Sequence, residues 1–339
     1  MKFVHMADMH FGSTFTSLQG KNNYIQKRQL AQREAFDKII QIIKDNNVEH
    51  FFIAGDLFEH ESFEGNVSLS TIEYCNKKFD EIPNTKIWIS PGNHDPYVKN
   101  SYYQTYTWAK NVTIFKDKVE CYQTENCNIY GFGFSSFYEA NSHIEEIVLN
   151  DKNKLNILIT HADLDASKSS ERLFNPISSR KLKEIGFDYV ALGHIHKSNF
   201  SKSERFLYPG STIGKSFGSG LGNHGIILGE INKDYYNVEY ITLDCDFYIE
   251  IPLDISEIID KEELIQEINN LYTVSESVYQ IKLTGKHNFY IDTNEIKLDV
   301  AEKYNLNKSS VSPFCLQSNN SFKESRYRFC KIFYNTYNW

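Results

Sequence analysis

Eight side chains suited to holding or assisting a metal fall in five short clusters along this chain: Asp8 and His10, Asp56, Asn93 and His94, His161, and His194 with His196. Hard divalent cations favour carboxylate and amide oxygen together with imidazole, and two cations a few ångströms apart need one carboxylate that both share. The expected arrangement puts Asp8, His10, Asp56 and His196 on one metal and Asp56, Asn93, His161 and His194 on the other, with Asp56 bridging. His94 stays outside both sets, suited to stabilise a phosphate or to protonate a leaving oxygen. This is the equipment of a two-metal phosphoester hydrolase.

Neighbouring residues extend the pattern. Asp95 either orients an imidazole or an adjacent loop, or caps a helix before Pro96. His60, four residues beyond Asp56, is within reach of a substrate or is a solvated loop histidine. His5, His50, His143, His224 and His287 carry no such support and are expected to be structural or exposed. Asp163 and Asp165 are expected to be loop carboxylates. Gly214, Gly218, Gly220 and Gly222 lack a Walker lysine pattern and a following helix, which points to a hairpin connection near the site mouth.

Each cluster needs an element to deliver it. Apolar runs rich in β-branched and aromatic residues predict strands at Phe3 to Ala7, Phe51 to Ala54, Lys86 to Ser90, Ile129 to Phe134, Asn156 to Thr160 and Tyr189 to Leu192. All but the run at Ile129 end within a few residues of a ligand cluster, as when an α/β protein builds its site outside the carboxyl edge of a sheet. Leu30, Ala31, Ala35, Ile39, Ile42 and Ile43 repeat at helical spacing between Arg28 and Asp45, with a stop at Asn46-Asn47. Further strands are expected at Arg205 to Ser211, His224 to Ile231 and Val238 to Leu243, antiparallel and completing the second sheet of a sandwich. Beyond about residue 245, a helix near Lys261 to Leu271, a strand at Val278 to Thr284, a helix near Asn294 to Tyr304, a loop over Asn305 to Ser325 and a strand from Arg326 to Tyr334 form a small α+β domain. The expected division is 1–245 and 246–339.

With 339 residues, 41% of them hydrophobic, the chain can bury a normal core. There is no apolar run of transmembrane length, and the stretch Lys2 to Met6 is too short for a signal peptide, so a cytoplasmic location is expected. Six scattered cysteines without a Cys-x-x-Cys pair suggest neither a zinc ribbon nor a disulfide framework. A net charge of −8 argues against a broad basic nucleic-acid surface, although bound cations invert the local charge where a phosphate docks.

The five clusters resemble the calcineurin-like metallophosphoesterase superfamily. Within it, Met6-Ala7-Asp8-Met9-His10-Phe11-Gly12-Ser13, Ala54-Gly55-Asp56-Leu57-Phe58, Pro91-Gly92-Asn93-His94-Asp95, Leu192-Gly193-His194-Ile195-His196 and Tyr208-Pro209-Gly210-Ser211 resemble SbcD-type DNA repair nucleases. Gln32-Arg33-Glu34-Ala35-Phe36 and Leu283-Thr284-Gly285 add a similarity to YhaO-like bacterial exonucleases. The resemblance implies a four-layer α/β/β/α sandwich with a small C-terminal capping domain, two Mn²⁺ ions, a homodimer and an SbcC-like coiled-coil ATPase partner. It implies a DNA exonuclease acting in repair, with backbone contacts expected among Lys21, Arg28, Arg172, Arg180, Lys197 and Lys215. The alternatives are a phosphodiesterase or phosphatase for nucleotides or phosphoproteins, and a metal-free scaffold that keeps only the fold.

Overall fold

The computed structural model describes residues 1–18, 22–59, 67–166, 173–245, 247–271, 277–296, 299 and 314–318. His60, Lys21, Arg172 and the expected strand from Arg326 to Tyr334 lie outside the described residues. The chain divides into two compact units, Met1–Ile249 with Glu276–Val278, and Glu250–Ser275 with Tyr279–Trp339.

In the first unit the elements run β1 (Lys2–Met6), α1 (Asn22–Asp45), β2 (His50–Ile53), α2 (Leu69–Asp80), β3 (Lys86–Ile89), α3 (Tyr102–Thr105), β4 (Val112–Ile114), β5 (Glu120–Gln123), β6 (Cys127–Gly131), β7 (Leu155–His161), β8 (Asp163–Leu164), β9 (Pro176–Ile177), α4 (Ser179–Ile185), β10 (Tyr189–Gly193), β11 (Phe206–Leu207), β12 (His224–Ile231) and β13 (Tyr236–Asp244). They build a six-stranded sheet in the order β13-β12-β1-β2-β3-β4 and a five-stranded sheet in the order β11-β10-β7-β6-β5. The five ligand-bearing strands β1, β2, β3, β7 and β10 run parallel to their ligand-bearing neighbours in the same sheet.

Between the sheets, Phe3, Phe52 and Trp88 meet Ile129, Ile157 and Tyr189 in one buried cluster. Each large apolar side chain buried in this way stabilises the fold by about 1.5–3 kcal/mol. His5 also reaches across, with Nδ1 2.9 Å from the Tyr189 hydroxyl and Nε2 3.2 Å from the Leu192 carbonyl. Burial drives its pKa down to about 3, so it is neutral and structural. On the outer face of the first sheet, α1 and α2 contribute Phe36, Ile39, Ile40, Ile43, Ile72 and Phe79 to a second core. On the outer face of the second sheet, α4 contributes Leu182 to a third. The layering is therefore α/β/β/α.

Helix α1 begins at Asn22, earlier than its periodicity indicated, and its buried stripe runs through Gln32, Ala35, Phe36, Ile39, Ile40 and Ile43. Leu30 lies off that stripe and is 56% exposed, so it is no core residue. The stop falls where expected: Asn47 adopts φ 51°, and the Asn46 side chain donates to Ile42 O at 2.9 Å.

The last strands depart from expectation. β12 and β13 join the first sheet, because β1 has an open edge opposite β2 and β12 covers it antiparallel from Lys2↔Glu230 to His5↔Ile227. Only β11 enters the second sheet, where it pairs parallel with β10.

The second unit carries α5 (Lys261–Asn270) and most of a three-stranded sheet ordered β14 (Tyr248–Asp254), β15 (Val278–Thr284) and β16 (Phe314–Ser318). The Asp260 side chain caps α5 by accepting from Glu263 N at 2.9 Å, and Leu264 and Ile268 are buried. β16 falls within the stretch expected to be loop: the apolar Phe314-Cys315-Leu316 gives it strand character, and it pairs parallel with β15. Among the described residues no helix is long and apolar enough to cross a membrane.

Candidate metal centre

All five clusters meet at the carboxyl ends of β1, β2, β3, β7 and β10. The turns that deliver them are strained: Asp8, His10, Asp56 and His194 have φ of 52°, 51°, 51° and 105°. Non-glycine residues in this region cost about 1–3 kcal/mol each, and persist only where the surroundings dictate them. Here the restraints are visible. Asp8 N and His10 N donate to Gly55 O and Asp56 O at 3.1 and 2.9 Å, so the loops after β1 and β2 run side by side. From α1, the Gln32 amide donates to both Met9 O and His10 O at 2.8 Å. Two glycines permit the close approach: a Cβ on Gly193 would stand 1.7 Å from Ala54 O, and one on Gly55 (φ +88°) 2.2 Å from His161 Nδ1.

The side chains form two nests around Asp56. In the first, His10 Nε2 lies 3.1 Å from His196 Nε2, 3.6 Å from Asp56 Oδ2 and 3.9 Å from Asp8 Oδ1, which is itself 3.7 Å from His196 Nε2. In the second, Asn93 Oδ1 lies 3.0 Å from His161 Nε2 and 3.2 Å from His194 Nδ1, and His161 Nε2 is 3.4 Å from Asp56 Oδ2. Among the described residues three groups have ligand atoms close enough to hold an ion: Asp8 with His10 and His196, Asp8 with Asp56 and His161, and His10 with Asp56 and His94.

The protonation chemistry fits a cation. His161 Nδ1 is 2.9 Å from Ala54 O, the contact of a donating N–H, which in the neutral ring leaves the Nε2 lone pair facing the Asn93 and Asp56 oxygens. Acceptors that face one another so closely, away from water, call for a positive charge between them. In its absence the imidazole takes a proton: burial opposes this, but the Asp56 charge outweighs it and raises the His161 pKa to about 9. Burial also opposes ionisation of Asp56, yet His161, His94 and His10 hold its carboxyl well below the usual range. Asp8 is pushed up to about 7, mainly by burial. Burial keeps His10 and His194 neutral, with pKa values of about 4 and 3, and holds His196 well below its usual value, so their lone pairs are free to coordinate.

Beside the nests, His94 donates its backbone N–H to Asp56 Oδ1 at 2.9 Å, and its ring Nδ1 lies 2.5 Å from Glu59 Oε1. Burial works against an imidazolium there, but Asp56 and Glu59 raise the His94 pKa. Glu59 is 4% exposed, and its other oxygen lies 2.9 Å from His10 Nδ1 and 2.7 Å from Lys215 Nζ. Sequence reasoning missed both Glu59 and Gln32. The available signals were a carboxylate directly after Asp56-Leu57-Phe58, in a loop that must pass His10, and one amide on the buried stripe of α1.

Of the two readings of Asp95, the structure realises the loop partner. Oδ1 accepts from Asp56 N and Gly92 N at 3.1 and 2.7 Å, and Oδ2 from Phe58 N and the Tyr103 hydroxyl at 3.0 and 2.6 Å. No imidazole is among its partners. Asp163 faces the cluster more closely than a plain loop carboxylate, with Oδ1 3.8 Å from His194 Nε2. Arg28, expected at the substrate, is 2% exposed and committed elsewhere: it pairs with Asp244 through Nη1 at 3.1 Å and Nη2 at 2.5 Å, and donates to Gly214 O at 2.8 Å. Arg180 is a solvated partner of Glu184 on α4. Lys197 is exposed directly after His196.

An α/β/β/α sandwich with buried, cation-ready carboxylates, amide and imidazoles along one edge defines a metal-dependent phosphoesterase. The chain belongs to the calcineurin-like phosphoesterase family, whose model matches residues 1–198 and so spans all five clusters. It is also 23% identical over 286 residues to the uncharacterized metallophosphoesterase YhaO of Bacillus subtilis (strain 168), covering 80% of this chain and 68% of that protein. The protein is accordingly a hydrolase of phosphoesters.

Proposed function

We propose that this protein is a Mn²⁺-dependent DNA exonuclease that cleaves phosphodiester bonds at a two-metal centre. The carrying observation is the place of Asp56, whose Oδ2 lies 3.6 Å from His10 Nε2 in one nest and 3.4 Å from His161 Nε2 in the other. Asp8, His10, Asp56 and His196 would hold one cation, and Asp56, Asn93, His161 and His194 the second. Bound there, the cations supply Lewis-acid polarisation of the phosphate and acidify water.

The remaining steps fall to the chain's own groups. The Asp56 carboxylate, kept ionised by its histidines, draws cations to a protein whose net charge is already negative. His94, with Nδ1 tied to Glu59 and its pKa raised, presents a proton toward the centre. As the oxygen of water bonds to phosphorus, releasing a proton to solvent, and the bond to the leaving oxygen breaks, His94 gives that oxygen its proton and regains one from solvent, and a phosphomonoester and an alcohol result. Support for DNA as the substrate comes from the nuclease-like flanks of the clusters, all gathered at this edge, with Lys197 exposed beside His196 as a backbone-phosphate contact.

The test is a Mn²⁺ assay on linear double-stranded DNA, single-stranded DNA and a small chromogenic phosphodiester. Progressive shortening of DNA, lost in Asp56→Ala, is the expected result. Cleavage of the small ester with both DNAs intact would replace this reading with a small-molecule phosphodiesterase.

A further inference from the structure

Lys215 stands in the glycine-rich connection between β11 and β12, and a buried apparatus fixes its backbone. Gly214 N donates to Asp244 Oδ2 at 2.9 Å, and Gly214 O accepts from Arg28 at 2.8 Å. The Arg28 guanidinium is itself paired with Asp244 and lies 4.1 Å from the centroid of the Phe247 ring. One residue on, Lys215 O accepts from the Tyr248 hydroxyl at 2.8 Å and from Ser17 Oγ at 3.2 Å. The loop held in this way turns the Lys215 ammonium inward, its side chain only 17% exposed, onto Glu59 Oε2 at 2.7 Å.

A lysine there is unexpected on electrostatic grounds, since an ammonium opposes the binding of cations nearby. Its contact explains it. Glu59 is a buried carboxylate with one oxygen on His94 and the other shared by His10 and Lys215. Without the ammonium, Oε2 would keep only His10, which burial holds neutral, and the buried carboxylate would be under-compensated on that side and free to turn. The ammonium fixes Oε2, which fixes Oε1 and with it the His94 ring. We propose that Lys215 is a positioning residue for His94, acting through Glu59 and delivered by the Arg28–Asp244–Tyr248 clamp. This rests on the phosphoester-hydrolysis reading above.

The test compares the wild type with Lys215→Met and Lys215→Arg by three readings: kcat and KM on a small chromogenic phosphodiester with Mn²⁺, Mn²⁺ affinity by calorimetry, and the His94 Nδ1–H resonance of metal-free, ¹⁵N-histidine-labelled protein. Lys215→Met is expected to lower kcat by about 10–100-fold with KM little changed. Mn²⁺ affinity should be equal or higher, and the downfield His94 resonance shifted or lost. Lys215→Arg, which keeps the cation, should lie closer to the wild type on all three. A kcat within twofold of wild type would overturn the proposal, as would a fall in kcat that follows weakened Mn²⁺ binding while the resonance stays in place. A wild type inert towards every ester would overturn the hydrolase reading, and the resonance, which needs no substrate, would still decide the role of Lys215.

Discussion

Replacing Asp95 by Asn changes the chemistry of one atom where the loops after β2 and β3 are joined. The carboxylate accepts four hydrogen bonds: Asp56 N at 3.1 Å and Gly92 N at 2.7 Å on Oδ1, Phe58 N at 3.0 Å and the Tyr103 hydroxyl at 2.6 Å on Oδ2. An amide offers one accepting oxygen. Its better orientation keeps that oxygen on Asp56 N and Gly92 N, because the Tyr103 hydroxyl can turn and accept while a backbone N–H cannot. Phe58 N is then orphaned against an NH₂ group, and one buried unsatisfied donor costs about 1–3 kcal/mol. For a unit of this size that is a loss of roughly 2–10 °C in Tm. Asp95→Ala removes both accepting oxygens, and with them all four hydrogen bonds, and should be several-fold worse. Phe58 adjoins Glu59, so Asp95→Asn should also lower kcat, by about tenfold or more. Thermal unfolding followed by circular dichroism, together with the Mn²⁺-dependent ester assay, reads both effects. A Tm within about 1 °C of wild type, with kcat unchanged, would refute the reasoning.

His94→Gln should lower kcat by about 10²–10⁴-fold while leaving Mn²⁺ binding intact, since His94 is assigned to proton transfer and not to either metal; calorimetry beside the ester assay separates the two. Mn²⁺ at about 100 times its Kd should stabilise the wild type by about 2.7 kcal/mol, seen as a rise in Tm that EDTA abolishes and Asp56→Ala lacks. Stability should also fall on acidification. His5 has a folded pKa depressed to about 3, so its contribution is complete above the unfolded value of 6.5 and is lost as pH falls from there toward 3. That amounts to about 2 kcal/mol between pH 6.5 and pH 5. Urea midpoints across that range should show a shallower pH slope in His5→Gln, and an identical slope would exclude His5 as the source.

That the five clusters would meet was legible because strand ends impose order: each of β1, β2, β3, β7 and β10 passes from an apolar run straight into its Asp, Asn or His. The core of the sandwich was legible for the same reason, since alternation and helical spacing report which face is buried. What stayed hidden was partnership across the chain. Nothing local marks Glu59 as the residue that joins His10, His94 and Lys215, because those partners are 49, 35 and 156 positions away. Arg28 was misread for a related reason: an arginine on a helix reads as a surface charge until Asp244, 216 residues on, closes over it. β12 and β13 have the same pattern whichever sheet they join, and only the open edge of β1 decides. β16 was obscured by the Asn- and Ser-rich residues around its short apolar run.

The most direct test of the central claim is the stoichiometry of tightly bound Mn²⁺, measured by titration calorimetry on the wild type and on Asp56→Ala. A shared carboxylate between two nests predicts two ions per chain in the wild type, and a loss of affinity at both sites together in the variant. A single ion, or two whose binding is indifferent to Asp56, would contradict it.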